Sequence, residues 1–318
     1  MVLNNRGDEN NISRKTQQKI LEYAKKHNYV PNQLARSLRT GKSETIGLIM
    51  PNISNLFYAE IASYIEEKAE EQGYTVIFSS SHENPKIEQK LIRSMVNRQV
   101  DGLIIASTQG NLEDIRLLKN NNFPLVLIDR HYPEYSTNFI VVNNYEGTKN
   151  ATKHLINLGR RKIAFISVRL ELDAMRQRLL GYEDAMNECF GNIENKLIKI
   201  LDHKGYRKEM RPILEELLKL DQGLDAIVFA THYLTASGIG ELKNIGVKVP
   251  KEVAIVSFDE MSAFDIVDPP ITYIMQPSEE IGTLAVEVLL DVINGKNNKE
   301  DQKVVLGTKL VVRKSCGT

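Results

Sequence analysis

Residues 45–80 read T-I-G-L-I-M-P-N-I-S-N-L-F-Y-A-E-I-A-S-Y-I-E-E-K-A-E-E-Q-G-Y-T-V-I-F-S-S. The opening run, 45–51, is continuously apolar, the pattern of a strand covered on both faces rather than one with a wet side. Over 55–73 the period changes. Ile61, Ile65 and Ala69 recur at helical spacing, and Glu66, Glu67, Glu70 and Glu71 take the opposite side. That is an amphipathic helix. A second apolar run at 74–79 follows Gly73. Two such strands joined by a helix make a βαβ unit, with parallel strands and a right-handed crossover.

The alternation continues. Helices are predicted over 86–99 and 112–121, with strands over 101–106, 124–128 and 139–142. A second series follows: helix 146–158, strand 162–168, helix 175–189, strand 196–201, helix 207–220, strand 225–230, helix 234–245, strands 253–258 and 271–275. A long helix over 278–294 and a strand region over 304–312 close the chain. The fold class is α/β: two doubly wound parallel-sheet lobes. The N-lobe is expected over about 46–144 plus 277–300, and the C-lobe over 145–276 plus 301–318. In such sheets ligands bind beyond the carboxyl ends of the strands, so the cleft between the lobes is the default site.

Upstream of the body, Thr16, Ile20, Leu21 and Ala24 recur along a helix predicted over 13–28. The stretch 29–46, Y-V-P-N-Q-L-A-R-S-L-R-T-G-K-S-E-T-I, lacks the Gly/Ser content of a passive tether. Pro31 and Asn32 start a short helix that carries Leu34, Ala35 and Leu38 on one stripe, with Arg36 and Arg39 beside it. Two readings fit: a surface helix with a solvated basic face, or a leucine wedge for a DNA minor groove flanked by cations for its phosphates. One helix and a wedge cannot build a core of their own.

The chain has 318 residues with 41 basic and 41 acidic side chains, yet the balance is uneven. Residues 1–45 hold nine Lys/Arg against four acids, a net of +5, which leaves the remainder at −5. A basic head on an acidic body points to a polyanion at one end only. Cys189 and Cys316 lack C-x-x-C spacing, and no apolar run has the length of a membrane span. With a polar N-terminus, a cytoplasmic location is expected.

Enzyme signatures are missing. There is no phosphate-cradling G-x-x-x-x-G-K-[ST], no G-x-S-x-G and no H-E-x-x-H. S-G-I-G-E-L-K-N-I-G (237–246) departs from a dinucleotide fingerprint at Lys243 and reads as ordinary helix. The six histidines show no ligand spacing, so neither a metal nor a cofactor is expected. What the strand ends do offer is Asn52, Asn55, Phe57 and Tyr58, Asp129-Arg130, Arg176 and Arg178, Asp202-His203, Thr231-His232-Tyr233 and Asp259. Carboxylates, amides and guanidinium groups bond hydroxyls while aromatic faces cover C–H surface, which suits a polar, hydroxylated small molecule.

V-L-N-N-R-G-D, the run T-Q-Q-K-I through P-N-I-S-N-L-F-Y-A-E-I, and then V-D-G-L-I-I, L-V-L-I-D-R, H-L-I-N-L-G-R-R-K-I-A-F-I, R-L-L-G-Y, V-P-K-E-V-A-I-V-S-F-D and Q-P-S-E-E-I-G resemble the LacI family of bacterial regulators, in that family's order. The resemblance covers nearly the whole chain. It implies a periplasmic-binding-protein-like two-lobe body behind a remnant all-α DNA-binding head, and a homodimer whose helix-turn-helix heads and hinge helices bind operator DNA, modulated by a small-molecule effector, a sugar or sugar derivative. By resemblance the hinge helix spans 32–38, with Asn32, Ala35, Arg36, Leu38 and Arg39 toward DNA and Leu38 as the wedge. Effector positions carry over to Phe57, Tyr58, Asp129, Arg178, His203 and Asp259. Asn143 stands where an acid is common, and Thr231-His232 where Asn-Asp is usual. The resemblance also places Met1 near the end of the base-reading helix, so a head truncated within the helix-turn-helix is expected, through a start set too far downstream, a trimmed chain or a natural shortening. The alternative is a cytoplasmic solute sensor without DNA-binding activity.

Overall fold

The computed structural model describes Val2 and residues 12–27, 41–191, 194–220, 223–296 and 300–318. The hinge positions Asn32, Ala35, Arg36, Leu38 and Arg39 lie outside the described residues.

The body folds as two six-stranded sheets flanked by helices, as the alternating pattern requires. The N-lobe is built from β1 (Thr45–Met50), α2 (Leu56–Glu71), β2 (Thr75–Ser80), α3 (Pro85–Asn97), β3 (Gly102–Ile105), α4 (Leu112–Asn120), β4 (Leu125–Ile128) and β5 (Phe139–Val142). The chain then enters the C-lobe with α5 (Asn144–Asn157), β6 (Ile163–Val168), α6 (Asp173–Phe190), β7 (Ile198–Leu201), α7 (Tyr206–Leu218), β8 (Ala226–Phe229), α8 (His232–Asn244), β9 (Ala254–Phe258) and β10 (Thr272–Met275). Helix α9 (Ser278–Ile293) returns to the N-lobe, and β11 (Lys303–Leu306) and β12 (Lys309–Val311) end the chain.

The N-lobe sheet runs β11-β5-β4-β3-β1-β2, every pair parallel, and the C-lobe sheet runs β12-β10-β9-β8-β6-β7 with only β12 antiparallel. Here the expected boundary needs correction. The region 304–312 is two strands that belong to different sheets, and the N-lobe share extends through Leu306 instead of stopping at 300. The chain changes lobe at Gly307-Thr308, where Leu306 still accepts from the Asn143 amide on a neighbouring crossover, at 2.8 Å.

Each sheet carries a core on both faces. Leu48, Ile61, Ile65, Val126 and Leu289 fill one side of the N-lobe sheet, and Ile49, Ile92, Leu103 and Ile115 the other. Burial on both sides explains why β1, β3 and β4 read as unbroken apolar runs. In the C-lobe, α5 and α6 pack unusually close. A Cβ on Gly181 would stand 2.2 Å from the Tyr145 carbonyl oxygen, so the glycine of R-L-L-G-Y permits this contact. Likewise S-G-I-G belongs to α8, where Gly238 leaves room for the Phe229 ring, 2.2 Å from where a Cβ would lie. No phosphate loop exists there.

Ahead of the body, α1 (Arg14–Lys26) begins at a Ser13 cap that accepts from the Thr16 amide at 3.3 Å. None of its residues is buried, and Ile20 and Leu21 are 37% and 47% exposed.

Candidate ligand-binding site

The segments that follow the strands of both lobes face each other across a cavity of about 380 Å³. That lies within the size range of small-molecule sites. All six residues carried over by resemblance, Phe57, Tyr58, Asp129, Arg178, His203 and Asp259, line it. So do Asn52, Asn55, Arg130, Thr231, His232 and Tyr233 from the strand-end reading. Arg176 and Asp202 do not. Arg176 pairs with Asp173 on the outside of α6, and Asp202 bonds the Gly205 amide at the start of α7. Asn143 also stays out of the cavity, because its side chain caps α5 by accepting from the Glu146 amide at 3.0 Å.

Two buried clusters define the chemistry. In the N-lobe, the Tyr58 hydroxyl donates to Asp129 Oδ2 at 2.6 Å, and Arg130 Nε stands 3.3 Å from the same oxygen. Burial pushes Asp129 up from the usual aspartate range, against the pull of Arg130 and of the Tyr58 hydrogen bond. Burial also drives the Tyr58 hydroxyl well above its ordinary value, so it stays a donor. In the C-lobe, Arg178 donates from Nε to Asn144 Oδ1 at 2.8 Å and from Nη1 to the Ala230 carbonyl at 2.7 Å, with its guanidinium 3.5 Å over the Phe258 ring. Asp259 Oδ2 lies 3.9 Å from Arg178 Nη1, and Asp259 Oδ1 accepts from Gln276 at 2.5 Å. Burial acts to raise Asp259, but Arg178, His232 and Gln276 outweigh it and hold the carboxyl below its ordinary value.

Buried polar atoms almost always find partners. Among the described residues four side-chain atoms do not, and three of them, His203 Nδ1, His232 Nδ1 and Gln276 Oε1, belong to residues that line this one cavity. His232 Nδ1 stands 3.5 Å from Asp259 Oδ2, at the edge of bonding range. Burial lowers the His203 pKa, with the nearby Arg169 charge acting the same way, so the ring is neutral and offers either a donor or an acceptor. Burial pushes the Tyr233 hydroxyl up to about 12.

Sequence reading missed Glu83, Arg169 and Gln276. Each follows a strand within a few residues, so the rule that found Asp129 and Asp259 reaches them when applied to β2, β6 and β10 as well. Backbone geometry offers a second signal. Glu83, Asp129, Arg169 and Asp259 have φ of 55°, 62°, 51° and 68°. Side-chain-bearing residues in this region store strain, which concentrates where a fold aims groups at a ligand.

Among the described residues no cluster of His, Cys, Asp and Glu could hold a metal ion, and no helix is long and apolar enough to cross a membrane. A family profile described as "Periplasmic binding proteins and sugar binding domain of LacI family" matches residues 43–314. The chain is 30% identical over 308 residues to the HTH-type transcriptional regulator RegA of Clostridium saccharobutylicum, covering 96% of this chain and 91% of that protein. It is 31% identical over 319 residues to the HTH-type transcriptional regulator DegA of Bacillus subtilis (strain 168), covering 99% and 92%. Among solved structures, a complex of the transcriptional regulator CelR with cellobiose superposes with a TM-score of 0.77 at 26% identity, covering 95% of this chain and 91% of that one.

Proposed function

The chain belongs to the LacI family of transcriptional regulators, and we propose that its effector is a neutral carbohydrate, or a close derivative, bound in the interlobe cavity. It is a ligand-modulated regulator and not an enzyme, as RegA and DegA are named transcriptional regulators and CelR is a transcriptional regulator in complex with cellobiose. The observation that carries the carbohydrate reading is the set of unpartnered buried atoms, His203 Nδ1, His232 Nδ1 and Gln276 Oε1, among aromatic walls. A polyol supplies donors and acceptors at once, while Phe57 and Tyr233 cover its C–H faces. The cellobiose seen with CelR is a ligand of matching chemistry.

The mechanism follows from linkage. A ligand touching Tyr58 and Asp129 from one lobe and Arg178 and Asp259 from the other binds best when the lobes are close, so it shifts the population toward that arrangement. Three chain crossings join the lobes, and the N-lobe begins directly after the segment that holds Leu38. Lobe closure then alters the spacing of paired hinge helices in a cytoplasmic homodimer, with Leu38 entering the operator minor groove. By reciprocity, operator DNA must change ligand affinity by the same factor.

A thermal-shift screen of sugars, sugar acids, sugar phosphates and purines tests this reading. A saturable rise in melting temperature with a neutral sugar is expected, since a ligand that binds only the folded chain stabilises it by mass action. A response to purines alone would replace the carbohydrate by a base.

A further inference from the structure

Four arginines reach the cavity, which at first favours an anion: Arg130, Arg169, Arg178 and Arg207. Their partners point the other way. Glu83, just past β2, takes Arg130 in a two-pronged pair, accepting from Nη1 and Nη2 at 2.9 Å each. The same carboxylate lies 3.1 Å from Nη1 of Arg169, which follows β6 in the opposite lobe. Arg178 faces Asp259. Only Arg207 has no carboxylate partner among the described residues, and it sits exposed at the rim, stacked at 5.6 Å on the Tyr206 ring, where solvent screens a charge.

Building on the carbohydrate reading above, we propose that Glu83 sets the charge specificity of the cleft. Its carboxylate holds, from within the protein, the place between Arg130 and Arg169 that a ligand carboxylate or phosphate would occupy. The cleft therefore admits neutral hydroxylated ligands and turns away sugar acids and sugar phosphates. Planar forked pairing is the geometry by which arginine recognises free carboxylates and phosphates, so Glu83 competes on equal terms and is always present. A ligand anion would either displace Glu83 into a buried, unpaired position or join Glu83, Asp129 and Asp259 as a fourth anion beside only three inner arginines, Arg207 being exposed at the rim. The placement is held by the fold: Glu83 and Arg130 are 16% and 7% exposed at their side chains, and Glu83 and Arg169 both sit at positive φ. Burial pushes the Glu83 carboxyl up, but the two arginines overcome this and keep it ionised.

Glu83 also ties the lobes together, a role it shares with Gln109, whose Oε1 accepts from the Asp173 amide across the cleft at 2.9 Å. Gln109→Ala is thus a control that loosens closure without changing charge.

The test is rescue by a small carboxylate, using the full chain. Glu83→Ala leaves a carboxylate-sized gap between Arg130 and Arg169. Acetate, titrated against chloride at constant ionic strength, should raise the melting temperature of Glu83→Ala saturably. It should leave wild type and Gln109→Ala almost unmoved, and adding Arg169→Gln should abolish the rescue. Equal acetate responses in wild type and Glu83→Ala would overturn the proposal. Should Glu83→Ala not fold, Glu83→Gln keeps the side-chain volume, and gluconate against glucose gives the comparison. The Gln variant should gain at least tenfold in relative affinity for gluconate, and an unchanged ratio would overturn the proposal. If wild type binds no sugar, the carbohydrate reading fails while acetate still decides the role of Glu83.

Discussion

The Tyr58 hydroxyl and Asp129 Oδ2 lie 2.6 Å apart, with Tyr58 4% and Asp129 8% exposed. A charged acceptor this deep depends on its donor, since losing a partner leaves the full desolvation cost, about 1–3 kcal/mol. Tyr58→Phe should therefore lower the unfolding free energy by about that amount. It should also push the Asp129 carboxyl further up, because the hydrogen bond now holds it down. Urea denaturation and carboxyl-carbon NMR titration check the two halves.

Gly181 tests the packing of α5 on α6. A methyl group there meets the Tyr145 carbonyl oxygen at 2.2 Å, which is backbone and cannot swing aside. Gly181→Ala should cost about 1–3 kcal/mol through overpacking despite the better helix propensity of alanine. A stabilised Gly181→Ala in urea melts would show that the helices can separate.

Acid should weaken the Glu83 cluster in a defined direction. The folded state holds the Glu83 carboxyl below its ordinary value of 4.5. Its ion pairs therefore stabilise the fold fully above that pH, and the contribution fades as pH falls through the lower, folded value. The stability gap between wild type and Glu83→Gln should be constant from pH 7 to 5 and shrink as pH drops below about 4.5. A gap that widened on acidification would reverse the assignment.

The exposed Ile20 and Leu21 make a prediction about the head. A 13-residue helix with no buried residue is marginal in water. Amide exchange over residues 19–24 should be fast compared with β1 and β8. Strong protection there would mean α1 has a packing partner.

Much of this architecture was legible in the sequence because burial on both sheet faces imposes unbroken apolar runs, as at Ile46–Met50. The switch of sheets at Gly307 was not. Val304–Leu306 before it and Leu310–Val312 after it are two short apolar runs parted only by Gly307-Thr308-Lys309, which reads equally as a bulge within one strand. Only pairing with Phe139–Val142 and Tyr273–Met275 assigns them to different lobes. The same holds for the cavity. Asp129 and Asp259 advertise themselves by following strands, but the meeting of Glu83 with Arg169 is a product of tertiary structure, invisible to spacing. Asn143, which sequence placed among the positions that differ from relatives, proved to be a helix cap.

The proposed ligand lies between the two lobes, against Arg178 and Asp259. Calorimetric titration of the best sugar from the screen should be run on wild type and on Asp259→Asn, which keeps the side-chain shape but removes the charge. A hydrogen bond to a charged group contributes about 1.5–3 kcal/mol, so the variant should bind about 10- to 100-fold more weakly while remaining folded by circular dichroism. Equal affinity in the two proteins would place the ligand elsewhere.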